Sequence, residues 1–269
     1  MKSFFRFIGS IILLIIGLIA IIPFIYMIMT SLQHIYTSVD FKVSFTGMTL
    51  DNYKFIFESR NFSRYFLNSS FITISGVILN VVFSSLAAYS FAKMKFNGNN
   101  KIFFFMIMTL IIPTQVTMIP LYIIMKQLNW INSFFALILP IPTALGVFIM
   151  RQAIINIPNE LLESAKIDGY SDFHIFTKIV IPLIKPAIIT VSIFTFIGAW
   201  NEFLWPLIVS VDDKTRTLTV GLSTLQTQYT PNYGVMMAAA TLTFLPPFIF
   251  YLILQKRFVE GVAATGLKG

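Results

Sequence analysis

FIGSIILLIIGLIAIIPFIYMIMTSLQHIYTSV, residues 7–39, contains no Asp, Glu, Lys or Arg. An α-helix rises 1.5 Å per residue, so roughly 20 apolar residues cross about 30 Å of hydrocarbon, and this run exceeds that length. Working outward, charge-free runs recur at 65–92, 102–125, 127–150 and 217–255, and 186–211 is interrupted only by Glu202. The predicted membrane helices are Phe7–Ser31, Asn68–Phe91, Ile102–Met125, Ile131–Met150, Pro182–Val209 and Val235–Leu254. Six such segments in 269 residues leave no polar faces from which to build a soluble helical core. The composition agrees: 57% of residues are hydrophobic, 16% aromatic and 11% charged, where soluble domains carry roughly 25% charged residues. Mean hydropathy is +0.81. These values exclude a soluble enzyme, a disordered chain and a nucleic-acid binder. The expected fold class is an all-α integral membrane protein with six transmembrane helices.

Lys2 and Arg6 before the first run resemble the start of a secretory leader. The run is longer than a leader's apolar core, and Tyr36-Thr37-Ser38 is not a small-residue cleavage site, so it is expected to stay as a first span. With six spans both termini share a side. That side holds 12 lysines and arginines against 7 opposite, and the 92–101 loop alone carries Lys93, Lys95 and Lys101. The positive-inside rule therefore places both termini in the cytoplasm. The pI near 9.6 is a topology signal, and no nucleic-acid partner is expected. There is no cysteine, hence no disulfide framework and no thiolate chemistry.

Pro23, Pro113, Pro120, Pro140, Pro142, Pro206, Pro246 and Pro247 fall within or at the ends of spans. Each removes a backbone donor, which membrane helices tolerate when neighbours re-satisfy the freed carbonyls. Ser75, Gly76, Asn80, Ser84, Ser85, Ala87 and Ala88 give the second span a small-residue side, as Gly234, Ala238 and Thr241 do for the last, which suits close helix packing. No repeat relates the two halves. This argues mildly against the inverted-repeat secondary transporters.

Between the fourth and fifth spans lies IPNELLESAKIDGYSDFHIFTKIVIPLIKP, residues 157–186. Pro158 suits a helix's first turn. Leu161, Leu162 and Ala165 share a face, with Glu160, Glu163 and Ser164 around the other. Gly169 is placed to stop the helix in a left-handed conformation. Ser171 can cap a second short helix made apolar by Phe173, Ile175, Phe176 and Ile179, before Pro182 opens the fifth span. Such a helix–Gly–helix is either an interfacial pair lying on lipid headgroups or a docking element for a cytoplasmic partner.

Glu163-Ser164-Ala165, then Gly169, then Ile179-Val180-Ile181-Pro182 resembles the EAA loop of ABC-importer permeases. LDNYKFIF at 50–57, FLNSSFITIS at 66–75, LAAYSFAKMKFNG at 86–98 and IPTQVTMIPLY at 112–122 are similar to the carbohydrate-uptake branch of that family. So are Arg151-Gln152, FIGAWNEFLWPLIV at 196–209, TLTVGL at 217–222 and LQKRFVEGVAATGLKG at 254–269. The branch is the maltose, multiple-sugar and glycerol-phosphate type, in its EAA-loop subunit with a C-terminal Gly-Leu-Lys-Gly tail. Ser164 and Tyr170 stand where the family usually has alanine, Ile181 where it has leucine, and Ala264-Thr265-Gly266 departs from the usual Gly-Ala pattern.

The resemblance implies a type I importer permease: an N-terminal anchor helix and extracytoplasmic loop at 1–67, a transmembrane domain at 68–254, and a cytoplasmic tail at 255–269. It implies half of a translocation path for a sugar or sugar-like solute in a bacterial cytoplasmic membrane. The implied partners are a second homologous permease, a homodimeric or heterodimeric ATPase, and an extracytoplasmic solute-binding protein. Glu163 would make a charged contact to the ATPase, Gly169 would permit the turn, and Leu161, Leu162 and Ala165 would fill a groove on it. The tail from Gln255, with Lys256 and Arg257, would touch it too. No Gly-rich phosphate loop is present, so ATP and Mg belong to the partner and this chain carries no cofactor and no catalytic residue.

For the path, Glu202 is the only acid in a predicted span, flanked by Trp200 and Asn201, and Gln115 and Asn80 are further polar candidates. A tryptophan beside amides suits a sugar ring; the alternative is that Glu202 makes a structural bond near the outer end. His34 and His174 fall on opposite sides of the membrane, so no metal pair is expected. Tyr53, Phe55, Phe57, Gln226, Gln228, Tyr229 and Tyr233 are candidates for contact with the binding protein. A gradient-driven carrier would need several buried carboxylates, a membrane enzyme would need clustered His, Asp or Glu, and a purely structural subunit would not need the loop pattern.

Overall fold

The computed structural model describes residues 2–34, 47–58, 61–228 and 232–266, with the backbone alone described at 2–5, 225–228 and 256–266. Every element among the described residues is helical. Three helices are continuous and apolar enough to cross a membrane: α1 (Lys2–Ser31), with its apolar part Arg6–Ser31; α3 (Phe62–Lys93); and α14 (Tyr233–Gly266), with its apolar part Tyr233–Gln255. Between α1 and α3 lies the short α2 (Asp51–Glu58).

The other three expected spans are broken, and proline accounts for the breaks. The residue before a proline avoids the helical region, so Ile112 is extended (φ −79°, ψ 119°) ahead of Pro113. The expected Ile102–Met125 helix becomes α4 (Asn99–Met108), extended by the 3-10 turn Thr109–Ile111, and α5 (Thr114–Gln127), bent by 107°. Pro140 and Pro142 likewise split Ile131–Met150 into α6 (Phe134–Ile138), capped by Ser133, and α7 (Ala144–Ile155), capped by Thr143. The loop then forms α8 (Asn159–Ile167) and α9 (Asp172–Ile175), followed by a π turn at Phe176–Val180 and α10 (Ile181–Leu183). Pro182 therefore does not open the fifth span. That helix is α11 (Lys185–Asn201), with Pro186 in its first turn, at 76° to the preceding segment. It ends at Glu202, which is extended (ψ 128°), and α12 (Leu204–Val209) and α13 (Leu218–Gln228) follow. Counting each bent pair as one span gives up to five, with the shorter apolar α7 in addition.

The chain divides into two compact units, 1–63 with 221–246 and 64–220 with 247–269. In the first, α1 buries none of its most apolar window; a helix apolar all round needs a non-aqueous surround. Its C-terminal end is fastened by Asn52, whose amide donates to the Ser31 carbonyl (2.8 Å) and the Gln33 carbonyl (2.9 Å). Phe24 also packs on Phe244, ring centroids 4.7 Å apart. In the second unit, one buried cluster joins Ala88 and Tyr89 of α3, Val147, Met150 and Ile154 of α7, and Ala187 and Val191 of α11. The same cluster takes in Leu162, Ala165, Ile175, Phe176 and Val180 from the 157–186 segment. A second cluster packs Ile72, Met125, Ala136 and Leu137 around Trp205 and Val209.

Candidate coupling surface and cavity

The 157–186 segment is a rigid knob. At the end of α8 the Gly169 amide donates to the Lys166 carbonyl (3.0 Å) and the Tyr170 amide to the Ala165 carbonyl (3.0 Å), with Gly169 at φ +87°. This is the Schellman closure, and a side chain at Gly169 would be strained. Ser171 caps α9, accepting from the His174 amide (3.4 Å), while its hydroxyl meets His174 Nδ1 at 2.9 Å. Lys166 Nζ reaches Asp172 Oδ1 at 2.8 Å and ties α8 to α9. That hydrogen bond, then the carboxylate's charge, holds the Lys166 ammonium above the ordinary lysine range. At the base, Lys93 Nζ donates to the Ile157 carbonyl (2.6 Å) and to Asn159 Oδ1 (2.8 Å), across the junction of α7 and α8.

Of the five expected coupling residues, the structure places two inward. Leu162 (7% exposed) and Ala165 (6%) belong to the chain's own core, so they anchor the knob and are not free to fill a partner's groove. Leu161, Glu163 and Gly169 are exposed. The apolar surface of the knob is completed by Ile167 (87% exposed), Tyr170 and Phe173 (68%). The physical reason is the 100° step between neighbouring helical positions: Leu161 and Leu162 cannot both face the core formed by Ile175, Phe176 and Val180.

The second feature is a cavity of about 360 Å³ within the second unit, bordered by α3, α5, α6, α7, α11 and α12. Its walls are mainly apolar, from Ile72, Met118, Leu121, Ile141, Ile149 and Phe194 among others. Polar groups enter from Asn80, Thr114, Thr117, Thr143, Thr195, Thr217 and Glu202. Asn80 is buried and its amide is spent on structure: Nδ2 donates to Thr195 Oγ1 (2.8 Å), and Oδ1 accepts from Ser84 Oγ (2.8 Å) and the Thr143 amide (3.2 Å). Glu202 Oε1 accepts the Trp205 amide (3.2 Å) at the start of α12, while the Trp205 indole donates to the Ala136 carbonyl (2.8 Å).

Among the expected path residues Glu202 and Asn80 line the cavity, and the Asn80 amide is already committed to its neighbours. Trp200 (2% exposed) is packed against Phe66 (5.7 Å) and stacked on Phe196 (5.9 Å), so its face is not open to a sugar ring. Asn201 donates to the Ile197 carbonyl (2.9 Å), and Gln115 is exposed beside Thr114. Neither borders the cavity. The cavity hydroxyls of Thr114 and Thr117 were not anticipated; their three-residue spacing on one helix was the available signal. Among the described residues no group of His, Asp or Glu is arranged to hold a metal. Tyr53 meets Ser31 (2.7 Å) and Phe57 meets Phe62 (5.2 Å). Tyr229 and the side chains of Gln226, Gln228, Lys256 and Arg257 lie outside the described residues.

Residues 80–263 match the family model for the binding-protein-dependent transport system inner membrane component. The arabinooligosaccharide transport system permease protein AraQ of Halalkalibacterium halodurans is 38% identical over 224 residues, covering 82% of this chain and 80% of that one. The lactose transport system permease protein LacG of Rhizobium radiobacter is 32% identical over 248 residues, covering 92% and 91%. Among solved structures, a bacterial ABC transporter involved in import of the acidic polysaccharide alginate superposes with TM-score 0.82 at 22% identity. The superposition covers 95% of this chain and 97% of that one, and it establishes the fold. The chain thus belongs to the binding-protein-dependent transport family as an inner-membrane ABC permease component, a subunit that forms a membrane pathway and is not itself an enzyme.

Proposed function

We propose that the chain forms half of the membrane pathway of an ATP-driven importer for a sugar or oligosaccharide, and that the α8–Gly169–α9 knob is its seat on a cytoplasmic ATPase. The observation that carries this reading is the pairing of a buried back, Leu162 and Ala165, with an exposed rim of Leu161, Ile167, Tyr170 and Phe173 around Glu163. Such a knob transmits a push without deforming, because the core behind it is close-packed. Closure of two ATPase subunits on ATP would then move two knobs together and switch the path by rigid-body rotation.

In this reading a second, homologous permease completes the path, and a solute-binding protein delivers the solute on the extracytoplasmic side. ATP and Mg belong to the ATPase, and both termini are cytoplasmic, as the lysine and arginine asymmetry favours. Residues 68–254 act as the transmembrane domain, 1–67 as anchor and outer loop, and 255–269 as a tail near the ATPase. The sugar class rests on the relatives named for arabinooligosaccharides and lactose. Glu202, Thr114 and Thr117 line the path.

The test is co-purification in mild detergent of the tagged chain, comparing wild type with Glu163→Lys, Gly169→Pro and Ile167→Asp. Recovery of a second permease and an ATPase with wild type, and loss of the ATPase alone in the variants, supports the reading. Equal ATPase recovery in all four overturns the knob as its seat. Uptake of labelled arabinotriose and lactose by cells expressing the complete importer tests the sugar class.

A further inference from the structure

We propose that the cavity of the second unit discriminates by charge, passing uncharged solutes and rejecting anions, with Glu202 setting the sign of its field. This rests on the reading of the cavity as part of the path. Glu202 is the one ionisable side chain among the residues that line it; no lysine, arginine or histidine does. The remaining polar lining is neutral: the Asn80 amide, already committed to its neighbours, and threonine hydroxyls, which exchange hydrogen bonds with sugar hydroxyls without regard to charge.

The single hydrogen bond from the Trp205 amide (3.2 Å) orients the Glu202 carboxylate without neutralising it. Apolar walls concentrate the field of such a charge within the cleft. A uronate or sugar phosphate would meet a like charge with no cation to pair with, whereas sites built for anions supply arginine or lysine. The start of α7 also borders the cavity, and a helix N-terminus attracts anions. Two of the amides there are already engaged, Thr143 N by Asn80 Oδ1 (3.2 Å) and Gly146 N by Thr143 Oγ1 (3.3 Å), and the partial charge of a helix terminus is smaller than the full charge of a carboxylate. The cavity is therefore negative in sign, and its solute class is the neutral sugar. The alginate importer shares the fold at 22% identity, and the fold alone carries no information on solute charge.

The chain contains no cysteine, so a single thiol introduced by Thr117→Cys reports from the cavity. In the purified, assembled importer, that thiol is treated with two methanethiosulfonate reagents of similar size. One carries a trimethylammonium group and the other a sulfonate; each forms a mixed disulfide and releases methanesulfinate. Rates are corrected with the complex lacking Thr117→Cys, and the cation-to-anion ratio is divided by that for free 2-mercaptoethanol. One carboxylate at about 6 Å in a water-like medium biases this ratio about tenfold. The ratio is expected to be about ten or more with Glu202, and within about twofold of one in Glu202→Gln. Glu202→Ser, which also accepts from the Trp205 amide, serves if the glutamine variant does not assemble. An unchanged ratio on removing the charge overturns the proposal, as does absence of reaction with either reagent. Failure of wild-type uptake of arabinotriose and lactose would overturn the sugar reading while leaving the thiol result intact, so the two failures are separable.

Discussion

Lys166 Nζ lies 2.8 Å from Asp172 Oδ1, closing a bridge over Gly169 between the two helices of the α8–Gly169–α9 knob. Both side chains are more than half exposed, so the pair is screened by salt and water. The turn itself is held by the left-handed Gly169 and its two backbone hydrogen bonds.

Asp172→Asn is accordingly expected to leave recovery of the ATPase within about twofold at 0.15 M salt. Gly169→Ala places a Cβ in the left-handed region and costs about 1 kcal/mol, read as faster amide exchange at 165–171. The pH dependence of the pair follows its sign: Lys166 is raised in the folded state, so its contribution is complete below the ordinary lysine value and fades as pH rises through the raised one. The Lys166–Asp172 pair should therefore add no pH dependence to exchange in the knob between about pH 6 and 8, and Asp172→Asn should leave the pH profile there unchanged.

Lys93→Met removes both hydrogen bonds that the ammonium donates across the α7–α8 junction while keeping the side chain's apolar stem. The expected loss is about 1 kcal/mol, at the low end for charge-assisted bonds because Asn159 is exposed. Amide exchange at 157–162 should quicken while that of α5 stays unchanged. Combining Lys93→Met with Asn159→Ala should cost less than the sum of the two.

Asn80→Leu strands the buried Ser84 hydroxyl and the part-buried Thr143 amide and takes a donor from Thr195 Oγ1, which keeps its own bond to the Val191 carbonyl. A loss of about 2–4 kcal/mol is expected, seen as a lower midpoint of thermal unfolding in detergent. Gly146→Ala should act at the same place, since its Cβ would press on Ser84 and Asn80, at a cost of about 1–3 kcal/mol.

Trp200→Ala empties a buried aromatic site between Phe66 and Phe196 and should destabilise by about 3–5 kcal/mol. Trp200→Phe should recover most of that. If Trp200 is structural, uptake per assembled complex with Trp200→Phe stays near wild type; a solute-dependent change in KM with kcat preserved would put the indole in the path instead.

In the first unit, Gly234→Ala would drive a Cβ into the Gln33 carbonyl and the Asn52 amide. Backbone cannot rotate away as a side-chain tip can, so the Asn52 bonds to Ser31 and Gln33 should break. Loss of folded protein during detergent extraction is the expected readout, with Gly234→Ser no better.

The membrane class was legible because hydrocarbon excludes charge, and the absence of charge is written directly in the chain: α1, α3 and α14 fall where the charge-free runs put them. Gly169 and Ser171 were legible for a local reason. A left-handed stop and a hydroxyl cap each act within a few residues, so their effect needs no distant partner. The family pattern around Glu163 belongs to the same level, since it is a matter of residue types at set spacing.

What lay beyond the sequence depends on distant neighbours. Pro113 and Pro142 announce a missing donor, but whether a helix bends or breaks is set by what re-satisfies the freed backbone, and here Ile112–Pro113 turns the chain by 107°. Trp200 and Glu202 are two residues apart and read as one polar group. Folding sends the indole against Phe66 and Phe196 and leaves the carboxylate on the cavity, because α11 ends between them at Asn201. Leu161 and Leu162 are chemically identical neighbours, and only the core of Ile175, Phe176 and Val180 behind α8 decides which is buried and which remains exposed. Residue type and spacing set where the chain enters the membrane and where the helices of the 157–186 segment stop. Which side chain faces the core, the cavity or the open surface is a long-range packing choice, made when segments far apart in sequence compete for the same volume.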